Sequence, residues 1–160
     1  MHELLALCAD LPVVHVDAGA VVVREGDAGG ALWILEDGTL EVRKGDTVVN
    51  RIDQPGAMVG EVSVLLGAPS GATVEATEAS RFRHASDGPA FVFGDPAVLR
   101  LIAVGLAERL NYVTAYLADL KEQYGDAPGL SMVGTVLSRL AQAQDRPVRG
   151  GSARDPDPEY

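Results

Sequence analysis

Cysteine is almost absent from this chain, since Cys8 is the only one among 160 residues. A single thiol excludes a disulfide framework and a cysteine-rich zinc site, and we expect Cys8 to be a small buried hydrophobic residue. The three histidines are isolated and form no His-x-His pair, so the ligand cluster of a cupin-type metalloenzyme is missing. We therefore predict no metal cofactor.

Basic residues and long apolar runs are also scarce. Lys and Arg number 13 against 23 Asp and Glu, which gives a net charge of −10. This balance, with no local basic cluster, argues against nucleic-acid binding, because phosphate backbones are bound by Lys and Arg. No apolar stretch approaches the roughly 18 residues of a membrane span, and the N-terminus has no signal-peptide pattern. We expect a cytoplasmic protein that binds neither nucleic acid nor membrane.

The short motifs that mark common enzyme classes are missing as well. The sequence has no Gly-x-Ser-x-Gly elbow, no P-loop and no His-Glu-x-x-His pair. We therefore predict that the chain is not an enzyme.

What the sequence does contain, from Val13 to about Ser86, is a series of short β-branched runs separated by Gly and Asp turns. Asp37-Gly38 and Gly45-Asp46 each lie between two apolar runs, which is typical of a tight hairpin. Some eight short strands at nearly regular spacing predict a mostly β fold with flanking helices, an antiparallel β jelly-roll barrel. The clearest strands are predicted over 13–16, 20–23, 31–35, 39–42, 47–52, 73–76 and 80–84.

A long C-terminal helix is predicted over 96–124. Asp95 is a suitable N-cap, Pro96 suits the first helical position, and no further proline follows before Tyr124. Apolar residues recur at spacings of three and four along one seam: Leu99, Ile102, Leu106, Leu110, Val113, Leu117, Leu120 and Tyr124. A seam this narrow is typical of a coiled coil, so we predict a homodimer through the part from Leu106 on. The alternative is a helix that lies entirely on its own barrel.

These patterns predict one domain over 1–124, including the long helix, and a short helical extension over 125–144. Ser131 is a candidate cap for the last helix. Residues 145–160 are rich in Pro, Gly and charge, and we expect a tail without fixed structure.

Several segments together resemble the cyclic-nucleotide-binding domain of the catabolite-activator and regulatory-subunit superfamily, over about 4–120. The resemblance is carried by Arg24-Glu25-Gly26-Asp27, Leu32-Trp33-Ile34-Leu35, Glu36-Asp37-Gly38-Thr39-Leu40-Glu41-Val42 and Gln54-Pro55-Gly56-Ala57-Met58-Val59-Gly60-Glu61, with the run 59–74 similar to the family's phosphate-binding cassette. It implies a non-catalytic regulatory domain with a pocket for a cyclic nucleotide, cAMP or cGMP.

The resemblance implies a ligand-binding set of Gly60, Glu61, Val62, Ser63, Ser70, Gly71, Ala72 and Thr73. Gly60 would let the backbone approach the ligand, and residues 62–66 would form a helical turn whose N-terminal amides face an anion. Glu61 would accept a hydrogen bond from the ribose 2′-hydroxyl, with a solvated loop carboxylate as the alternative. Ala72 and Thr73 would line the base and phosphate side.

Ser70 departs from the family pattern, because an arginine usually stands there and pairs with the cyclic phosphate. A hydroxyl offers one neutral donor where guanidinium offers a charged fork, and losing such a bond costs roughly 1.5–3 kcal/mol. At about 1.4 kcal/mol per decade, affinity falls about ten- to a hundredfold. Gly71 is a second departure. Arg81 and Arg83 are possible substitute cations, but they are two residues apart on one strand, and we expect them on the outer face.

Two hypotheses follow from this pattern. In the first, the chain is a stand-alone sensor that binds a cyclic nucleotide or a related small ligand weakly. In the second, the fold is a degenerate cyclic-nucleotide-binding domain that acts without nucleotide as an interaction module for a protein partner of unknown identity. The roughly 35 residues after the long helix are not basic, so we expect no DNA-reading module among them.

Overall fold

The computed structural model describes residues 2–124 and 131–142. The chain has two blocks of secondary structure: a β-rich block to residue 85 and a helical block after it. The elements in chain order are α1 (His2–Leu7), β1 (Val13–Val16), β2 (Val21–Val23), β3 (Leu32–Asp37), β4 (Leu40–Lys44), β5 (Thr47–Ile52), β6 (Met58–Val59), α2 (Glu61–Leu66), β7 (Thr73–Ala76), β8 (Ser80–Ala85), α3 (Gly88–Gly94), α4 (Pro96–Tyr124) and α5 (Ser131–Gln142).

The strands form two antiparallel sheets of four strands each. One sheet has the order β1-β8-β3-β6 and the other the order β2-β7-β4-β5. Consecutive strands are mostly not neighbours, which is the arrangement of a jelly roll. The predicted fold class, a mostly β jelly roll with flanking helices and a long C-terminal helix, is confirmed.

The hairpin predicted at Asp37-Gly38 is wrong, because β3 and β4 lie in different sheets. Gly38 has φ +117°, and a Cβ there would overlap Ser80, so the chain passes between the sheets at a point too crowded for a side chain. The hairpin predicted at Gly45-Asp46 is present, with Lys44 opposite Thr47. Gly45 has φ +55° and Asp46 a negative φ, which fits a type II′ turn.

The core lies between the two sheets and receives side chains from both. Its buried members are Leu35, Leu40, Val59, Val74, Ala76 and Phe82. At the N-terminus, Leu4 and Cys8 are also buried, and Cys8 has no exposed surface. Burial raises the pKa of the Cys8 thiol to about 11, against a smaller opposing effect of Arg83. The prediction of a buried hydrophobic cysteine is confirmed.

The predicted helix over 96–124 is present as α4, and it begins as expected, since the Asp95 carboxylate accepts a hydrogen bond from the Ala97 N–H at 2.8 Å. Two compact units meet within α4: Met1–Ile102 and Ala103–Tyr160. Val98 and Ile102 are fully buried in the first unit. The predicted domain boundaries stay predictions. Residues 125–130, the end of the extension at 143–144 and the predicted tail 145–160 lie outside the described residues.

In the second unit, one face of α4 is open. Leu110 and Val113 are 49% and 47% exposed. Val133 of α5 is buried. Within the described ranges no single helix has both the length and the apolarity of a membrane span, whereas α3 and α4 together, bent by 100° at their junction, meet that test.

Candidate functional site

A cavity of about 380 Å³ opens in the first unit where the β2–β3 connection meets the start of α2. This volume is within the range of small-molecule sites. The lining residues that matter for its chemistry are Arg24, Asp27, Trp33, Gly60, Ser63 and Ser70. Aliphatic side chains of β2 complete one wall.

Gly60 brings the start of α2 against the start of β3. It caps α2 in a left-handed conformation, with φ +97°, and a Cβ there would overlap the Ala31 carbonyl oxygen. Only glycine meets both requirements. The close approach of Gly60 to a ligand stays a prediction; in the structure its close neighbour is the Ala31 carbonyl oxygen, and Gly60 also lines the cavity.

Of the eight residues in the predicted ligand-binding set, Gly60, Ser63 and Ser70 line the cavity. Glu61, at the start of α2, is 4% exposed, and its burial does not fit a solvated loop carboxylate. Val62 is 47% exposed. The lining does not include the other five residues of the predicted set: Glu61, Val62, Gly71, Ala72 and Thr73.

Ser63 and Ser70 are both buried, at 7% and 8% exposure. The Ser63 hydroxyl donates a long hydrogen bond of 3.4 Å to the Pro69 carbonyl oxygen. The Ser70 hydroxyl has no hydrogen-bond partner within 2–124 and 131–142, yet it is not sealed from solvent, because it belongs to the cavity wall. Two residues with small hydroxyl side chains therefore belong to this part of the cavity wall.

The backbone of Ser70 is held on both sides by the β2–β3 connection. Its N–H donates to the Asp27 carbonyl oxygen at 2.9 Å, and its carbonyl oxygen accepts from the Gly26 N–H at 2.8 Å. This pair of bonds fixes the end of the cassette against the segment 24–27. The position of Ser70 in the wall is therefore set by backbone geometry and not by its side chain.

Gly71, Ala72 and Thr73 form a separate group at the start of β7 and in the two residues before it. The Thr73 hydroxyl oxygen accepts a hydrogen bond from the Glu25 N–H at 3.0 Å, which leaves the hydroxyl proton to be donated elsewhere. The Gly71 carbonyl oxygen accepts from Lys44 Nζ at 2.6 Å. Lys44 also pairs with Glu25, whose other carboxylate oxygen accepts from the Gly45 N–H at 2.9 Å. The Gly45 N–H and the Lys44 ammonium lower the pKa of Glu25.

Arg81 and Arg83 do not reach the cavity. Both guanidinium groups pair with the carboxylate of Glu36, at 2.8 and 2.6 Å. Arg83 also donates to the carbonyl oxygens of Ala9 and Leu11. The hydrogen bonds that the Glu36 carboxylate accepts from the two arginines lower the pKa of Glu36, and the bond from Arg83 has the larger effect. The two arginines share one face as predicted, and Arg83 joins Glu36 to the N-terminal segment.

Sequence reasoning did not place Arg24, Asp27 and Trp33 at the site. Trp33 lies on β3, with its ring centroid 3.9 Å from that of His84 and 5.6 Å from that of Phe82. The signal for Arg24 and Asp27 was available, since the Gly between them marks a turn, but nothing in the sequence says which loop that turn meets. Among the described residues, no group of three His, Cys, Asp or Glu side chains forms a metal site.

Comparison with known proteins agrees with this geometry. The family model for the cyclic nucleotide-binding domain matches residues 13–86. A cAMP-dependent protein kinase regulatory subunit from Yarrowia lipolytica is 37% identical over 62 residues, which are 39% of this chain and 16% of that protein. The chain therefore matches only a small part of this curated relative.

Two solved structures share the fold. The catabolite activator protein of Thermus thermophilus aligns with a TM-score of 0.59 and 21% identity, over 89% of this chain and 84% of that one. A structure described with a cyclic-GMP-dependent signalling pathway of bacterial phytopathogenesis aligns with a TM-score of 0.60 and 23% identity, over 70% of this chain and 94% of that one. Residues 13–86 of this chain are a cyclic-nucleotide-binding domain.

Proposed function

We propose that this domain is a non-catalytic sensor that binds a cyclic nucleotide, cAMP or cGMP, in the cavity beside Gly60. The observation that carries the proposal is the cavity itself, because it has the volume of a ligand site and is lined by Gly60, Ser63 and Ser70 of the cassette. A regulatory relative is similar to 62 residues of the chain. We expect weak binding, with a dissociation constant of about tens of micromolar or higher, because Ser70 supplies no charge.

Isothermal titration calorimetry of the full chain with cAMP and with cGMP tests the proposal. Saturable binding of either nucleotide in the micromolar to millimolar range is the expected result. Adenosine and guanosine are the controls, since they carry the base and ribose without the phosphate. Absence of binding by both cyclic nucleotides at millimolar concentration would contradict the sensor function and favour the interaction module.

The interaction module is the second candidate, and Ser70 favours it. If the anion is not bound, the fold serves as a scaffold, and its contacts with a protein partner carry the function.

We further propose that the partner of α4 is a second copy of the chain. From Leu106 to Tyr124 the apolar seam follows spacings of 4, 3, 4, 3 and 4, which is the a/d pattern of a two-stranded coiled coil. Leu110 and Val113 of this seam are about half exposed, and charges of both signs flank it, as a self-complementary surface requires.

A further inference from the structure

We propose that Arg24, on the β2–β3 connection, supplies the positive charge for the ligand phosphate that Ser70 does not supply. This inference rests on the proposed nucleotide-binding function. Arg24 is the cation in the cavity lining, and it stands in the same wall as Ser70.

The backbone around Arg24 is fixed relative to Ser70. The Arg24 carbonyl oxygen accepts a hydrogen bond from the Asp27 N–H at 3.1 Å, which closes a four-residue turn. Gly26 in this turn has φ +84°, the conformation that a type II turn requires of its third residue. Because Gly26 and Asp27 also hold both backbone groups of Ser70, the turn that carries Arg24 is joined directly to the cassette.

The guanidinium of Arg24 is available to a ligand, unlike the charged groups of Arg43, Lys44, Arg81 and Arg83. Within 2–124 and 131–142 it forms no hydrogen bond or ion pair, and Arg24 is exposed. By contrast, Lys44 is bound to Glu25 and Gly71, Arg43 to Glu41, and both Arg81 and Arg83 to Glu36. An anion in the cavity can therefore recruit Arg24 without breaking an existing pair.

The Asp27 carboxylate opposes this arrangement. It is exposed and lines the same cavity, three residues from Arg24 at the other end of the turn. A carboxylate there repels a phosphate and competes for the Arg24 guanidinium. The pair predicts weak binding of an anionic ligand, and it predicts that neutralising Asp27 strengthens that binding.

Calorimetric titration of Arg24→Gln with cAMP and with adenosine tests this assignment. The cyclic phosphate is the only charged group of cAMP, so we expect the affinity for cAMP to fall about five- to thirtyfold. The affinity for adenosine should change less than about twofold. Arg24→Lys should retain part of the cAMP affinity, because it keeps the charge and loses the fork. Asp27→Asn should bind cAMP more tightly than the natural chain.

Arg51→Gln is the matched control, since Arg51 is an exposed arginine on β5 outside the cavity lining and the substitution changes the net charge equally. It should leave both affinities unchanged. Raising the salt concentration should weaken cAMP binding more for the natural chain than for Arg24→Gln, because an exposed ion contact is screened.

The outcomes separate this assignment from the function on which it rests. Equal cAMP affinity of Arg24→Gln and the natural chain would overturn the role of Arg24 and leave the nucleotide-binding function standing. A parallel loss of cAMP and adenosine binding would also overturn it, since the residue would then act on the shape of the site. If the natural chain binds neither cAMP nor cGMP at millimolar concentration, both proposals fail.

Discussion

Ser70 is the residue at which the resemblance implies an arginine instead, and its surroundings leave space for a longer side chain. Its backbone is fixed by two hydrogen bonds, its side chain faces a cavity, and Asp27 lies beside it. A longer side chain at this position can extend into the cavity and need not displace the core. The Asp27 carboxylate would then have a cationic neighbour.

We therefore expect Ser70→Arg to raise cAMP affinity about ten- to a hundredfold, because it restores a charge-assisted contact to the phosphate. Calorimetric titration measures this gain. Gly71→Arg is the register control: it adds the same charge one residue later, at a position that is exposed, has open space for a side chain and does not line the cavity. An equal gain from both variants, or no gain from Ser70→Arg, would show that position 70 does not face the phosphate.

At this scale the sequence is informative about residues within one motif and silent about residues that fold against it. Gly60, Ser63 and Ser70 were predicted together because they share one cassette. Arg24 and Asp27 are more than 30 residues away from Gly60, and the pairing of Gly26 and Asp27 with Ser70 brings them to the same wall. That pairing is made by backbone atoms, so it does not require particular side chains and cannot be predicted from the residue types.

Among the elements, the bounds of a strand are easier to predict than the strands with which it pairs in the sheet. β1, β5 and β7 have the predicted bounds, because alternating β-branched runs end at Gly and Asp turns. The partner of a strand depends on long-range packing. An Asp-Gly dipeptide often closes a hairpin, but in this chain Asp37-Gly38 connects β3 of one sheet to β4 of the other. β6 has two residues, which is too short for a sequence signal, whereas the start of α3 is marked by the Asp87 cap and a proline in the first turn.

The seam of α4 gives an element-scale prediction. We expect Val113→Glu to convert a homodimer into a monomer, because a carboxylate at the centre of a coiled-coil seam cannot be buried without a partner. Light scattering coupled to size-exclusion chromatography measures the mass. Ala115→Glu carries the same charge on the exposed side of the helix away from the seam and should remain dimeric. A natural chain with a mass near 16.7 kDa at high concentration would contradict the dimer.

For the whole molecule, Glu36 links stability to pH. Its hydrogen bond with Arg83, and through Arg83 the bonds to Ala9 and Leu11, joins the N-terminal segment to the sheet of β3 and β8. The pKa of Glu36 is lowered in the folded state, so the folded protein favours the ionised form. This contribution is present above the unfolded pKa of about 4.3 and is lost as the pH falls through the folded pKa.

We therefore expect Glu36→Gln to be less stable than the natural chain at pH 7, by about 1 kcal/mol, and to lose less stability than the natural chain between about pH 5 and 3. Urea unfolding followed by circular dichroism at several pH values measures both effects. Glu3→Gln is the control, because its pair with Arg100 is about 60% exposed on both sides and such pairs contribute little. Parallel pH profiles for Glu36→Gln and the natural chain would refute the link.

Trp33 gives the molecule an optical property of its own. It is the one tryptophan in the chain, it lines the cavity, and its ring lies against His84. Burial lowers the pKa of His84, which disfavours the cationic form of that ring. The tryptophan fluorescence of the protein therefore originates from a single indole at the wall of the proposed site, and occupancy can be followed there without an attached dye.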